Sequence, residues 1–396
     1  MGKQSKTIFF IAASSGFSDA EPKFLAASKK IRLILCLLVD AGYDVVLINS
    51  APDMGVRQSA KFDKIAIATN TSISRLTVPS YKQRKFGRLR NIFDALPMLR
   101  LGVKEFGRPD LVWCYNGYSF EMRFAVKAKR AYNCPILLEF EDWHFARSGI
   151  GNPKAVLDWF FWRKATPHID YCYAVNPRLQ RLMEQLGVKS DLMPGAISDH
   201  IARLRQWSPP TNGQAIQVGY FGGLSTEKGG SLLLEMINSA VSEKLSIHFV
   251  VTGGGGLAAE FKDLSNKAPS HLSYHGIVDE KTLCGLIGDV HVLLNPHQEN
   301  SGVFPFKVLE GIASGRPVIS GPLNIEGTNL QWLMDGVTAI ELSAAKWLNC
   351  IQEAGHKSQN TQAKRMSVRK KAIKLYSVNG LATMISKRIG LLTAKV

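Results

Sequence analysis

The chain has 396 residues, 45% of them hydrophobic and 20% charged. That length and balance exclude a disordered chain and a small disulfide-held fold, and they lead us to expect two globular domains. Lysine and arginine outnumber the acids by 49 to 32, a formal net charge of +17. Anionic partners are therefore favoured: nucleotides, phospholipid surfaces or nucleic acid.

Thr7–Ala12 is an apolar run that ends at Ser14, Ser15 and Gly16, so strand followed by tight loop is expected. A helix over Ala26–Ala41, with Ile31, Ile34, Leu35 and Leu38 at helical spacing, stops at Gly42. A strand follows over Asp44–Asn49. The same alternation returns with strands at Asp110–Cys114, Pro135–Phe140 and Tyr171–Val175. Helices are expected at Phe120–Ala131 and Pro177–Leu186. Such alternation is that of a doubly wound α/β domain. Between Gly195 and Gln214 the pattern breaks, with Pro209, Pro210, Asn212 and Gly213, so the domain boundary is expected near residue 205. A second α/β series then runs through strands at Gln217–Phe221, Ile247–Thr252, Leu272–His275, Val290–Leu294 and Pro317–Ser320. Its helices are expected at Gly230–Val241, Leu257–Asn266, Glu280–Ile287 and Phe306–Ser314. The tail, Gln362–Leu392, is basic and mostly helical in pattern.

The six cysteines are scattered, with no C-x-x-C pair, which points to reduced buried thiols. No segment reaches the ~20 apolar residues of a spanning helix. The run Ile8–Ala13 is too short for a signal sequence and reads as a buried strand. Met1-Gly2 resembles a myristoylation start, but Lys6 stands where Ser or Thr is required. The histidines show no metal-ligand spacing, and His291 falls inside an expected strand, where a core role is the default.

Two stretches carry candidate chemistry. In Phe306–Ser320, FKVLEGIASGRPVIS preceded by Phe304 and Pro305, Lys307 and Glu310 share the first helical turn. A lysine there can hold a phosphate, and a carboxylate one turn on can accept from a ribose diol. An amphipathic helix with an exposed ion pair reads equally from the same letters. In Gly219–Gly230, GYFGGLSTEKGG, a buried strand enters a glycine turn and then Lys228. Glycines such as Gly222 and Gly223 let backbone approach an anion, although a tight turn alone explains them too. Neither the G-x-G-x-x-G nor the P-loop pattern is present. In the first half, Glu139, Glu141, Asp142 and His144 gather where a strand ends, the edge at which α/β sites form. A carboxylate there can orient an acceptor hydroxyl or act as general base.

Together these stretches resemble the group 1, retaining GT-B glycosyltransferases. GYFGGLSTEKGG resembles the family's G-x-L-x-x-x-K-G segment, and VVTGGGG (Val250–Gly256) resembles its second strand and glycine turn. Leu272–Pro296 resembles the stretch leading to the sugar site, and FKVLEGIASGRPVIS the most diagnostic motif. All four stand in family order over about residues 217–320. The resemblance implies two Rossmann-like domains facing a central cleft, an acceptor-side domain over 1–205 and a nucleotide-sugar domain over 206–375. A final helix, 376–396, crosses back to the first domain. It implies that Lys228 meets the donor diphosphate, that Glu310 binds the ribose, and that Gly253 and Ser301, Gly302, Val303 and Phe304 lie around the donor. No metal and no cofactor is implied, because cations and helix ends stabilise the leaving diphosphate. Two departures stand out. Gly223 occupies the place of a common arginine, for which Lys307 is the candidate substitute. Gly302 occupies the place of the family's first glutamate, with Glu299 displaced toward the N-terminus. Aligned with the family, Glu141 replaces the usual histidine beside Asp142, and these two are the catalytic candidates. Ser15, Gly16 and His144 are acceptor-side candidates.

The expected activity is transfer of a sugar from a nucleotide-diphosphate sugar to a hydroxyl of a glycan or lipid-linked acceptor, with retention, in polysaccharide or lipopolysaccharide assembly. Residues 82–104 are basic and amphipathic, and AVLDWFFWRKA (Ala155–Ala165) adds aromatic residues beside Arg163 and Lys164. An anionic membrane is therefore an expected partner and the cytoplasm, or the cytoplasmic membrane face, the expected location. The aromatic run reads equally as core. Rival readings are a GT-B-fold sugar-nucleotide epimerase and a basic membrane- or nucleic-acid-binding protein without transferase activity. No nucleic-acid-binding signature supports the last, and nucleic acid is not an expected partner.

Overall fold

A computed structural model describes residues 5–14, 25–51, 59–79, 87–141, 151, 153–297, 306–323, 325, 328–356 and 359–394. The chain divides into two compact units, Met1–Met193 with Leu381–Val396, and Pro194–Gly380.

The first unit is built on strands β1 (Thr7–Ala12), β2 (Asp44–Asn49), β3 (Lys61–Ala68), β4 (Thr71–Thr77), β5 (Leu111–Tyr115), β6 (Ile136–Phe140), β7 (Tyr171–Ala174) and β8 (Ser190–Leu192). Their order is β3-β4-β2-β1-β5-β6-β7-β8. All pairings are parallel except β3 with β4. Central β1 is apolar at every position from Ile8 to Ala12 and wholly buried, as a strand covered on both faces must be. Edge strand β3 and its neighbour β4 escaped the sequence reading because charged and polar residues interrupt them. Buried Arg75 on β4 makes two 2.8 Å hydrogen bonds to the Asp63 carboxylate on β3.

The basic stretch near residue 90 forms a helix, Gly87–Phe106, and the aromatic run forms another, Pro153–Ala165. The aromatic run is divided between core and surface. Trp162 is core: it packs on Phe140 with ring centroids 5.7 Å apart, and a Cβ on Gly117 would lie 2.5 Å from its ring. Trp159 and Phe160 are exposed. The closing helix, Val378–Thr393, contributes buried Leu381, Ile385 and Ile389 to the core. Arg388 on that helix lies 3.6 Å over the Tyr171 ring and 3.0 Å from the Asp191 carboxylate, so both ends of the chain join one unit.

The second unit carries β9 (Ile216–Phe221), β10 (Ile247–Thr252), β11 (Leu272–Tyr274), β12 (Val292–Asn295), β13 (Val318–Ser320) and β14 (Val337–Ala339). Their order is β11-β10-β9-β12-β13-β14, all parallel. That is the doubly wound order, which reverses direction between β9 and β12 and opens a crevice at the carboxyl ends of those strands. The unit begins at Pro194, earlier than the break expected near 205, because the linker folds onto it. Trp207 donates from Nε1 to the His291 carbonyl at 2.8 Å, Arg369 donates to the carbonyls of Ala202 and Leu204, and Ile197 bridges Ser377. His291 is a core residue: its Nδ1 accepts from the Gln217 amide at 2.9 Å.

Among the described residues no disulfide forms, and Cys114, Cys134, Cys172 and Cys284 are buried. No described helix is long and apolar enough to cross a membrane. No described cluster of three or more His, Cys, Asp or Glu residues could hold a metal.

Candidate active site

At the reversal point of the second sheet, three backbone turns pack against each other with no room for side chains. Gly253, after β10, has φ of +131°, and a Cβ there would stand 1.8 Å from the Gly222 carbonyl oxygen. Gly255 meets the Leu224 carbonyl in the same way, at 2.2 Å, and Gly229, with φ of +82°, meets the Pro296 carbonyl at 1.9 Å. Only glycine fits such approaches, so this part of the motif is explained by packing at the crevice floor. Tyr220 pins the turn from below, donating its hydroxyl to the Gly223 carbonyl at 2.7 Å, with the Lys228 carbonyl at 3.2 Å.

Gly222 does not lend its amide. The Gly222 amide donates to the Thr252 carbonyl at 3.1 Å and is committed to the fold. What these two glycines provide is space for lysines. A Cβ on Gly222 would lie 3.4 Å from Lys307 Nζ, and one on Gly223 would lie 2.9 Å from Lys228 Nζ. Two ammonium groups therefore converge on one turn. Lys228 is exposed, whereas the Lys307 ammonium is buried and has no hydrogen-bond partner among the described residues. It stands 4.2 Å from the centroid of the Tyr220 ring. Burial, aided by repulsion from Lys228, brings the Lys307 pKa down to about 7.

Lys307 and Glu310 project from the helix Phe306–Ser314 into a small cavity also lined by Phe221, Leu293, Asn295 and Gly311. The helix is held at both ends. Its first residue lies where a Cβ on Gly195 would come within 2.4 Å of the Phe306 ring. At its other end Gly315, with φ of +77°, closes the last turn, and buried Arg316 donates to the carbonyls of Ser314 and Gly288. Arg369 adds a bond to the Ala313 carbonyl at 2.7 Å. Cations on these terminal carbonyls complement the helix dipole. Lys228, Lys307 and Glu310 were singled out in the sequence, and the structure sets the two lysines at one turn and Lys307 and Glu310 in one cavity. Sequence reasoning missed Tyr220, for which the letters gave no sign.

In the first unit the carboxylates at the end of β6 are partly as expected. Glu139 is wholly buried, and Glu141 at the strand's edge is nearly so. Both pair with Lys30, Glu139 at 2.7 Å and Glu141 at closer range. Trp113 Nε1 donates to Glu139 at 3.2 Å, and the Glu141 amide donates to Asn116 Oδ1 at 2.9 Å. Burial raises the Glu139 pKa to about 7, with Lys30 opposing and Glu141 adding to the rise. Burial also works against the Lys30 charge, but the two carboxylates outweigh it and raise its pKa. Lys30 was overlooked, although it lies four residues before Ile34 and so on the buried stripe of its helix. Ser15, Gly16, Asp142, His144, Ser301, Gly302, Val303 and Phe304 lie outside the described residues.

Comparison with known proteins fits this geometry. Residues 27–193 match the family model described as Glycosyl transferase 4-like domain, and residues 215–351 match that of Glycosyl transferases group 1. No curated protein matches the chain. Among solved structures, the chain is similar to sucrose-phosphate synthase from Thermosynechococcus elongatus, at 13% identity and a TM-score of 0.70, covering 99% of this chain and 100% of that one. Anabaena HepE in complex with UDP is similar at 12% identity and a TM-score of 0.66, covering 97% and 99%. WaaG, a glycosyltransferase involved in lipopolysaccharide biosynthesis, is similar at 15% identity and a TM-score of 0.60, covering 96% and 99%. With both domain matches in chain order on two doubly wound sheets, the chain belongs to the group 1 glycosyltransferases of GT-B fold.

Proposed function

We propose that the crevice of the second unit binds a nucleotide-diphosphate sugar and that the sugar passes, with retention, to a hydroxyl of a glycan or lipid-linked acceptor. The observation that carries the reading is the convergence of Lys228 and Lys307 at the reversal point of the sheet, with Glu310 one turn beyond Lys307. The two lysines offset the charge of the diphosphate as the glycosidic bond breaks, and Glu310 accepts from the ribose hydroxyls. Gly253 keeps the floor of the crevice flat. Ser301, Gly302, Val303 and Phe304 complete the donor side, and no metal or cofactor is needed. On the acceptor side, Glu141 and Asp142 orient or deprotonate the hydroxyl, with Ser15, Gly16 and His144 nearby. Lys30 forms an ion pair with Glu141. The similarity to HepE, which is known with UDP, is consistent with a uridine donor, and that to WaaG with a role in cell-surface polysaccharide or lipopolysaccharide assembly.

The same proposal includes peripheral attachment to the cytoplasmic face of an anionic membrane. Exposed Phe93 lies against Arg123, which also covers Phe161, and Lys164 lies 4.3 Å over the exposed Phe160 ring. Aromatic rings interleaved with cations suit an anionic lipid interface. Equal recovery of the protein with and without anionic vesicles in a flotation assay would remove this part of the proposal.

Thermal unfolding with UDP, GDP, ADP and their sugar conjugates tests the donor site. One nucleotide at a hundred times its dissociation constant should stabilise the protein by about 2.7 kcal/mol. Lys228→Ala and Glu310→Ala should lose that stabilisation. Stabilisation that survives both substitutions would place the nucleotide elsewhere.

A further inference from the structure

The Lys307 ammonium is an unusual object: a buried cation with no carboxylate, carbonyl or hydroxyl bonded to it among the described residues. An ammonium so placed is costly to bury, and proteins normally pair it or leave it neutral. Its surroundings explain why it is unpaired. Tyr220 on β9 presents its ring face to Nζ, while the Tyr220 hydroxyl is turned to the glycine loop. From the β9 loop comes Lys228, of like charge. The other elements lining the cavity contribute Asn295 on β12, Ile287 on the helix Glu280–Asp289, and Val318 on β13, none of which titrates. Glu310, on the same helix as Lys307, is the one acid lining the cavity among the described residues. Two ammonium groups beside a single lining carboxylate leave the cavity, among the described residues, with an excess of positive charge that suits an anionic ligand.

We propose that Lys307 sheds its proton readily while this cavity is empty and holds it once an anionic group enters, so that binding of a diphosphate at neutral pH and above is coupled to the uptake of up to one proton. This rests on the donor-site reading and adds to it a titrating group. In the unliganded protein burial and Lys228 hold the ammonium near its point of neutralisation, at a pKa of about 7. A diphosphate brings two negative charges into a poorly solvated place and makes the protonated form the favoured one. The sign follows from linkage. Below pH 7 Lys307 is already charged, and affinity does not change with pH through this group. Above pH 7 each ligand bound takes up a proton, and affinity falls about tenfold per pH unit until the pKa of the bound form is reached. In a transferase the same proton stays beside the diphosphate while the bond to the sugar breaks, and leaves as the diphosphate departs.

The test is nuclear magnetic resonance of the full chain labelled at lysine Cε, with inorganic pyrophosphate as the probe. The Lys307 signal is identified by its absence from Lys307→Met. Titration near neutrality in the unliganded protein, with the signal held in the charged position past pH 9 by saturating pyrophosphate, supports the proposal. A signal charged up to the ordinary lysine range without ligand overturns it. So does a signal that remains neutral at pH 8 in the presence of 10 mM pyrophosphate, on the order of a generous excess for a specific anion site. The nucleotide stabilisation experiment separates the two readings. Nucleotides that stabilise without charging Lys307 leave the donor site standing and remove the proton coupling. Pyrophosphate that charges Lys307 where no nucleotide stabilises keeps the coupling and removes the nucleotide.

Discussion

Each unit holds a buried lysine, and the two are in opposite states. Lys30 lies under the first sheet with two carboxylates, which raise its pKa. Lys307 lies at the edge of the second with an aromatic ring and another lysine, and its pKa falls to about 7. The same side chain is a finished internal contact in one place and an unfinished one in the other. A buried charge with partners is part of the fold, and one without them marks where a ligand supplies what is missing. Both lie near the carboxyl ends of parallel strands, so position in the fold does not separate them. The neighbours do.

Lys30→Met should break the comparison most strongly. It leaves two carboxylates in a buried place with no cation, and should destabilise the protein by about 3–5 kcal/mol. The loss should depend on pH. Glu139, with its pKa raised from 4.5 to about 7, contributes stability that is complete at low pH and declines as pH rises through 7. Removing Lys30 raises Glu139 further and deepens that decline. Urea denaturation at pH 5 and pH 8 should therefore show the larger deficit at pH 8. Equal deficits would mean that Lys30 acts through packing alone. Adding Glu139→Leu to Lys30→Met should recover part of the loss, because the variant then buries one charge fewer.

Lys307→Met should have the opposite sign. With an unpartnered ammonium replaced by an apolar chain of similar length, the unliganded protein should gain about 1–3 kcal/mol. For a lysine whose folded pKa is depressed, the unfolded chain holds the extra proton between about 7 and 10.5, so wild-type stability rises with pH across that window. The gain from the substitution should be largest at pH 6.5 and should shrink by pH 9.5. A variant less stable than wild type at pH 6.5 would show that Lys307 contributes to the fold as Lys30 does. Stability gained where binding is lost is the expected trade at a ligand site.

How much of this the sequence carried follows the same division. The site of the second unit was legible because its chemistry falls in two short stretches, the glycine turn with Lys228 and the helix start with Lys307 and Glu310, and the spacing within each stretch is itself the signal. The continuous apolar strands of both sheets were legible for the same local reason. Strands β3 and β4 were not, since Lys61, Asp63 and Lys64 break the apolar run of the edge strand, and β4 beside it mixes Thr, Ser and Arg75 with its apolar residues. The Lys30 cluster joins residues more than a hundred positions apart, and a single sequence holds no record of such a distance. Its one trace was a lysine on the buried stripe of a helix. What Gly222 and Gly223 leave room for was not legible for a related reason. Glycine letters announce an absent side chain, but only the fold says whether the space admits a ligand, a backbone or, as here, the end of a lysine.

The smallest change sharpens the comparison at one atom. A methyl group on Gly222 would stand 3.4 Å from Lys307 Nζ, in ordinary contact, at a backbone conformation open to any residue. Gly222→Ala should therefore alter stability by no more than about 0.5 kcal/mol. Its effect should fall on the proton. The added methyl excludes solvent from an ammonium that already lacks a partner, so Lys307 should titrate at lower pH than in wild type. Lysine Cε resonances followed against pH would read this directly, beside Lys30 as an internal control that should not move. A Lys307 titration unchanged by the methyl would mean that its depressed pKa comes from Lys228 and not from burial, and Lys228→Ala would then restore it to the ordinary range. Either result assigns the physical cause of the difference between the two lysines to a named neighbour.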